Sequence, residues 1–213
     1  MTTALYYSPG ACSLAPHIIL QEIGLPFELR LADARGKRLL ENADYVAVNP
    51  RGRIPALHID GFLLTENVAI VSYLALQHPH AGLLPQAPQA RARCLEMLAW
   101  LSSTVHVAFA GIWRPERFVT GTDHAAALEA HGRAAVTRYF AEIESAYAAR
   151  GFAAGPEYSA ADAFPFVLFR WGKRIGLDMH QQYPAWSAVV ARLWERPAVQ
   201  RAIAAEELSR ADW

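Results

Sequence analysis

A chain of 213 residues, 53% hydrophobic and 19% charged, can bury a substantial core; this excludes disorder and suits one large domain or two small ones. Lysine plus arginine equals aspartate plus glutamate, 20 against 20, so no net field argues for nucleic acid or an anionic membrane as a partner. Two cysteines, Cys12 and Cys94, are too few for a disulfide-stapled secreted domain, Met1 to Ala4 do not open a signal peptide, and no apolar run approaches membrane-spanning length, so a reducing, cytoplasmic location is expected.

Ala4 to Tyr7 is apolar and aromatic, as a buried strand should be. Pro9-Gly10 is turn punctuation, and Ser13 can cap a helix carrying Leu14, Ile18 and Ile19 that stops at Gly24. Phe27 to Leu31 alternates with period two, a half-buried strand. Asp33 to Asn42 is polar and is expected to hold a loop with a short helix. Ile54 to Ile59 reads as a strand with Pro55 at its start, and Asp60-Gly61 before Phe62-Leu63-Leu64 is a hairpin signal. Thr65 can cap a helix whose apolar residues are Val68, Val71, Leu74 and Ala75. Residues 1–78 therefore read strand, helix, strand, helix, hairpin, helix: a small α/β domain with parallel and antiparallel pairs.

His78 to Pro88 is rich in proline, and residues 79–88 are expected to be a linker. Nothing beyond it reads as strand. Gln89 to Trp113 has Leu95, Leu98, Leu101, Val105, Phe109 and Ile112 at helical spacing, and Asp123 to Arg150 is an alanine-rich helix stopped by Gly151. Ser159-x-x-Asp162 has capping-box spacing, and two more helices fit Pro184 to Trp194 and Pro197 to Glu206. Residues 89–213 are thus expected to form an all-helical domain.

Cys12 falls at the amino end of the first helix, where unpaired N–H groups and the helix dipole favour a thiolate; the other reading is a small buried apolar residue. Cys94 lies among Leu95 and Leu98 and reads as structural. No cluster has zinc-ligand spacing, no glycine loop is built for phosphate, and there is no G-x-S-x-G, so no metal is expected.

Four stretches in order carry a family resemblance. Tyr6-Tyr7-Ser8-Pro9-Gly10-Ala11-Cys12-Ser13-Leu14 is similar to the opening motif of bacterial beta-class glutathione transferases, which carry a cysteine in the active site. Asn49-Pro50-Arg51-Gly52-Arg53-Ile54-Pro55-Ala56-Leu57 resembles the family's Asn-Pro-x-Gly-x-Val-Pro-Ala-Leu, and Leu64-Thr65-Glu66-Asn67-Val68-Ala69-Ile70 its Leu-Thr-Glu-(Gly or Ser)-x-Ala-Ile. Ser159-x-x-Asp162 and Arg196-Pro197-Ala198-Val199 resemble its helical domain. The resemblance spans the chain and implies a thioredoxin-like domain with a mixed four-stranded sheet, followed by an all-α domain with a hydrophobic substrate pocket. It further implies a homodimer.

The resemblance implies that the backbone of Ile54 pairs with glutathione like an added strand and that Ile54–Pro55 is cis; the residues alone permit an ordinary trans proline. It implies that Lys37 meets the glycyl carboxylate and that Glu66, at a helix start, meets the γ-glutamyl ammonium. Asn67 departs from the family's small residue, and its side chain either crowds glutathione or adds a contact. Ser103 is expected to bind glutathione too. His106 is implied to face Cys12 across the cleft, where it would hold a thiolate or exchange its proton. Val107 and Thr104 replace a lysine and a glutamate common in the family, which weakens the expected hold on glutathione. Tyr6 and Ser13 are further candidate partners of the reacting sulfur, and Phe109, Trp113 and Phe166 candidate walls for the second substrate, although aromatics at this spacing also serve as core.

The implied activity is conjugation of glutathione to small hydrophobic electrophiles, a detoxification chemistry, with thiol–disulfide exchange through Cys12 as a companion. The alternative is a non-catalytic binding or stress-related protein that keeps the fold.

Overall fold

The computed structural model describes residues 3–33, 38–39 and 44–213. Strand β1 (Ala4–Tyr7) lies in the middle of a sheet, parallel to β2 (Glu28–Asp33) on one side and antiparallel to β4 (Ala56–Ile59) on the other. β5 (Phe62–Thr65) completes the hairpin with β4, and a two-residue β3 (Arg38–Leu39) adds an antiparallel edge to β2, giving the order β3-β2-β1-β4-β5. The four expected strands are present, and the two-residue edge makes a fifth. The crossover from β1 to its parallel neighbour β2 runs through helix α1 (Leu14–Ile23), which ends at Gly24, left-handed at φ 75°, with its N–H on Leu20 O.

Sequence-derived starts of two helices need correcting. Ser13 stands at the first cap position, but its hydroxyl bonds back to Ser8 O (3.3 Å) and accepts from Ser8 N (3.2 Å), closing the turn instead of capping. Thr65 is the last residue of β5, and helix α3 (Asn67–Gln77) begins after Glu66, which takes φ 71°. In the segment expected to hold a short helix, only residues 38–39 are described between 34 and 43, as strand; helix α2 (Tyr45–Val48) follows, capped by Asp44.

The remainder is helical: α4 (Pro88–Trp100), a π-helical turn (Leu101–Val105), α5 (His106–Trp113), α6 (Thr122–Arg150), α7 (Ala160–Arg174), α8 (Met179–Gln182), α9 (Pro184–Trp194) and α10 (Pro197–Ala205). Pro88 to Trp113 is a continuous helical run of 26 residues that holds an 18-residue window of mean hydropathy 1.3, long and apolar enough to cross a membrane by length and composition alone; this corrects the expectation that no run reaches that length. In the fold its stripe of Leu98, Leu101, Val105 and Phe109 is buried against α6 and α7.

One core is continuous from sheet to helices. Leu5, Leu14, Ile18, Leu57 and Ile70 share it with Phe109, Phe140, Phe164 and Trp186. Phe140 and Trp186 meet edge to face at 4.8 Å, and each such buried aromatic contributes on the order of 1.5–3 kcal/mol. The capping box is formed: Ser159 N donates to Asp162 Oδ2 (2.9 Å) and Ala153 N to Oδ1 (2.8 Å). Burial, offset by these donors, pushes the Asp162 carboxyl up to about 6. Arg196 grips Glu22 with two bonds of 2.6 and 3.0 Å, tying the start of α10 to α1.

Candidate active site

β1 runs into a loop, Ser8 to Ser13, that forms one wall of a cleft of about 360 Å³. The loop is clamped by long-range bonds. Gly10 N donates to Glu206 Oε2 (2.8 Å), while Gly10 O accepts from Trp171 Nε1 (2.9 Å) and Arg170 Nη1 (3.4 Å). Glycine is required there twice over: φ is +63°, and an added Cβ would lie 2.7 Å from Arg170 Cζ. Glu206 is only 2% exposed, and its other oxygen accepts from His17 Nδ1 (2.8 Å). Neither Glu206 nor Arg170 stands near the loop in sequence, and no local pattern announces them.

Cys12 lines the cleft with 7% of its surface exposed, and its thiol donates to Ile54 O at 3.5 Å. Burial pushes this thiol up to about 12, outweighing the backbone N–H groups of Cys12 and Ser13, which pull it down. The expectation of a thiolate is thereby corrected: a helix dipole is worth roughly 0.3–1 kcal/mol, less than one pKa unit, whereas burial shifts reach about 3–5 units. Cys12 is a neutral hydrogen-bond donor. Ile54–Pro55 is cis, as expected, and Ile54 faces the same cleft. The Asn67 side chain is buried, and its Nδ2 donates to Cys12 O at 2.7 Å.

The opposite wall comes from α5 and α7. His106 sits on it, its ring 5.4 Å from Trp171 and 5.9 Å from Phe164. Burial first, then Arg117 and Arg53, push its imidazole down to about 4, so it is neutral near neutral pH. Phe109 and Trp113 also line this wall, with rings 5.0 Å apart, and both contact Trp171. Arg53, Arg114, Arg117 and Arg174 line the cleft as well.

Other candidates lie elsewhere. Tyr6 faces a separate cluster with Ala32, Tyr45 and Ala56, its phenol accepting from Arg30 Nη1 (3.4 Å), because alternation along β1 turns it away from the face that carries Leu5; it does not line the cleft. Phe166 is fully buried, stacked on Trp213 at 5.0 Å; it is core and not a substrate wall. Ser103 is exposed on the π-helical turn, outside the cleft lining. Glu66 is outside that lining too, exposed and 3.5 Å from Arg51 Nη1. Ser13 is fully buried and spent on Ser8, so its hydroxyl does not reach into the cleft. Lys37 lies outside the described residues. Cys94 is buried, as a structural residue should be. Among the described residues no three His, Cys, Asp or Glu side chains converge as metal ligands.

The chain as a whole is similar to known proteins. Residues 10–77 match the N-terminal domain of glutathione S-transferases and residues 102–197 the C-terminal domain. Glutathione S-transferase GstA of Escherichia coli O157:H7 is 37% identical over 206 residues, covering 96% of this chain and 98% of that one. The beta-class glutathione S-transferase of Sphingomonas chungbukensis is 36% identical with a TM-score of 0.87, covering 97% and 100%. A sphingomonad glutathione S-transferase solved with glutathione is 38% identical with a TM-score of 0.85 over the same shares.

Proposed function

The chain belongs to the glutathione S-transferase family as an enzyme of bacterial type, and from that premise we propose that it conjugates glutathione to small aromatic electrophiles in the cleft between Cys12 and His106. Residues 1–78 bind the tripeptide and 89–213 supply the electrophile's wall. The cysteinyl backbone of glutathione pairs with Ile54, which lines the cleft beside Cys12, and a sphingomonad relative binds glutathione. Its thiol loses a proton to solvent, and the sulfur attacks an aromatic carbon. A C–S bond forms, the bond to the leaving halide breaks, and the halide departs with the electron pair; nothing is oxidised.

The observation that carries this reading is the cleft itself, where Cys12 and the cis-bonded Ile54 on one wall face His106 and the Phe109–Trp113 pair on the other. A neutral Cys12 thiol, once turned from Ile54 O, donates a hydrogen bond to the glutathione sulfur and is a poor nucleophile itself. A neutral His106 is a weak base but offers one ring N–H. Stabilisation of the glutathione thiolate therefore falls to these donors and to the arginine field. Thiol–disulfide exchange through Cys12 is the weaker companion, since that route needs a thiolate. In this reading the protein works in the cytoplasm as a homodimer.

The test is turnover of 1-chloro-2,4-dinitrobenzene with glutathione, together with retention on immobilised glutathione. Activity that survives Cys12→Ala at a reduced level and vanishes without glutathione supports conjugation. Failure of both turnover and retention overturns it in favour of a non-catalytic role. A single reducible glutathione adduct on Cys12, formed as fast as free cysteine forms one, would return exchange to first place.

A further inference from the structure

The chain carries no net charge, yet its cleft is strongly one-sided. Arg53, Arg114, Arg117 and Arg174 stand on its lining, and no aspartate or glutamate does among the described residues. Arg114 reaches only Glu116, at 3.8 Å and outside the cleft lining. Arg174 rests over the Trp113 ring, its Cζ 5.6 Å from the centroid. The arginines crowd one another: Arg117 is held below the usual guanidinium range by burial and then by Arg114 and Arg53. Like charges gathered at this cost around an aromatic wall call for an anion to neutralise them.

We propose that the electrophile this enzyme takes is an aromatic acid, its ring on Phe109 and Trp113 and its carboxylate among Arg114, Arg117 and Arg174. This rests on the conjugation reading for where the glutathione sulfur lies. A planar guanidinium matches a carboxylate with two parallel bonds, and aromatic stacking beside it fixes the ring. The acid also brings a second negative charge beside the sulfur, and the arginines offset that repulsion. Four cations are more than the single glycyl carboxylate of glutathione requires.

The proposal is tested by calorimetry with the unreactive pair 3,5-dinitrobenzoate and methyl 3,5-dinitrobenzoate, on the full chain saturated with S-methylglutathione. The acid is expected to bind at least about tenfold more tightly than the ester, the size of one charge-assisted bond. The advantage should shrink in salt raised from about 0.05 to about 0.5 M, as screening demands. In Arg117→Gln with Arg174→Gln, acid affinity should fall about tenfold toward that of the ester, with ester affinity changed less than about threefold. Equal binding of acid and ester in the unaltered protein overturns the proposal. So does an acid advantage that disappears once S-methylglutathione is present, which assigns the arginines to the tripeptide.

Turnover separates this from the parent reading. With 4-chloro-3,5-dinitrobenzoate, the sulfur bonds to the ring carbon, chloride leaves with the electron pair and the thiol proton passes to solvent. Acid-selective binding without any turnover removes conjugation and leaves the anion site standing; turnover of the methyl ester in preference to the acid, after division by the uncatalysed rates, does the reverse.

Discussion

The two walls of the cleft are built in opposite ways. The loop wall is fixed by backbone groups: Gly10 is held from both its N–H and its carbonyl by Glu206, Trp171 and Arg170, and Cys12 O is held by Asn67. The helical wall has buried aromatic bodies but exposed charged tips, with Arg117 and Arg174 reaching into solvent. A rigid loop suits a constant partner such as a tripeptide sulfur, because preorganised donors cost no rearrangement when charge develops. An arginine-tipped wall suits a partner that varies in shape. Substitutions on the two walls should therefore separate stability from selectivity.

The largest effect is expected from Glu206→Ala. It leaves the Gly10 N–H and the fully buried His17 without their acceptor, and His17 Nε2 already has no partner among the described residues. Stripping one member from a buried polar set costs on the order of 3–5 kcal/mol. Thermal melts should show that loss, and turnover should fall with it because the loop loses its clamp. Arg117→Ala, on the exposed wall, should change stability by no more than about 0.5 kcal/mol. Equal losses from both would erase the contrast.

The next effect concerns protons. With its thiol pushed up to about 12, Cys12 in the free protein should react with iodoacetamide at pH 7.5 at least about a hundredfold more slowly than free cysteine. The rate should keep rising beyond pH 9. His106 works at the other end. Its folded pKa is about 4, below the usual 6.5, so its neutral form is favoured by folding. Stability from this source is complete above about pH 6.5 and is lost as pH falls toward 4, where the buried ring must charge. His106→Gln should flatten that part of a stability–pH curve. A Cys12 that alkylates like free cysteine would contradict the neutral-thiol account.

Sequence alone made most of the frame legible. The strand alternation at Phe27 to Leu31, the Asp60-Gly61 hairpin and the Ser159–Asp162 box are local patterns, and each forms where its residues stand. The start of α3 moved because Glu66 adopts a left-handed backbone that propensity at Thr65 does not foretell. Cys12 was legible as a cleft residue but not as a neutral one, since burial is a property of the assembled fold and a helix dipole is too weak to oppose it. Phe166 and Phe109 look alike in sequence, yet one stacks on Trp213 at the chain's end and the other on Trp113 in the cleft. Glu206, Arg170 and Arg174 were invisible because their partners lie across the fold, and an arginine at helical spacing is ordinarily a solvated face.

The smallest predicted effect probes the helical wall itself. Trp113 touches Phe109 at 5.0 Å and Trp171 at 5.1 Å and seats Arg174 above its ring. Trp113→Leu keeps apolar bulk but removes the π face that would stack on an aromatic electrophile. Offset stacking is worth about 0.5–1.5 kcal/mol, so KM for a chlorodinitroarene should rise roughly two- to tenfold. KM for glutathione should stay constant, since that partner sits against the loop and Ile54. Cation–π loss at Arg174 adds a second signature: any preference for an acid over its ester should weaken as the guanidinium loses its platform. An unchanged KM for the arene with a raised KM for glutathione would place the tripeptide, and not the electrophile, against this tryptophan and would reverse the assignment of the two walls.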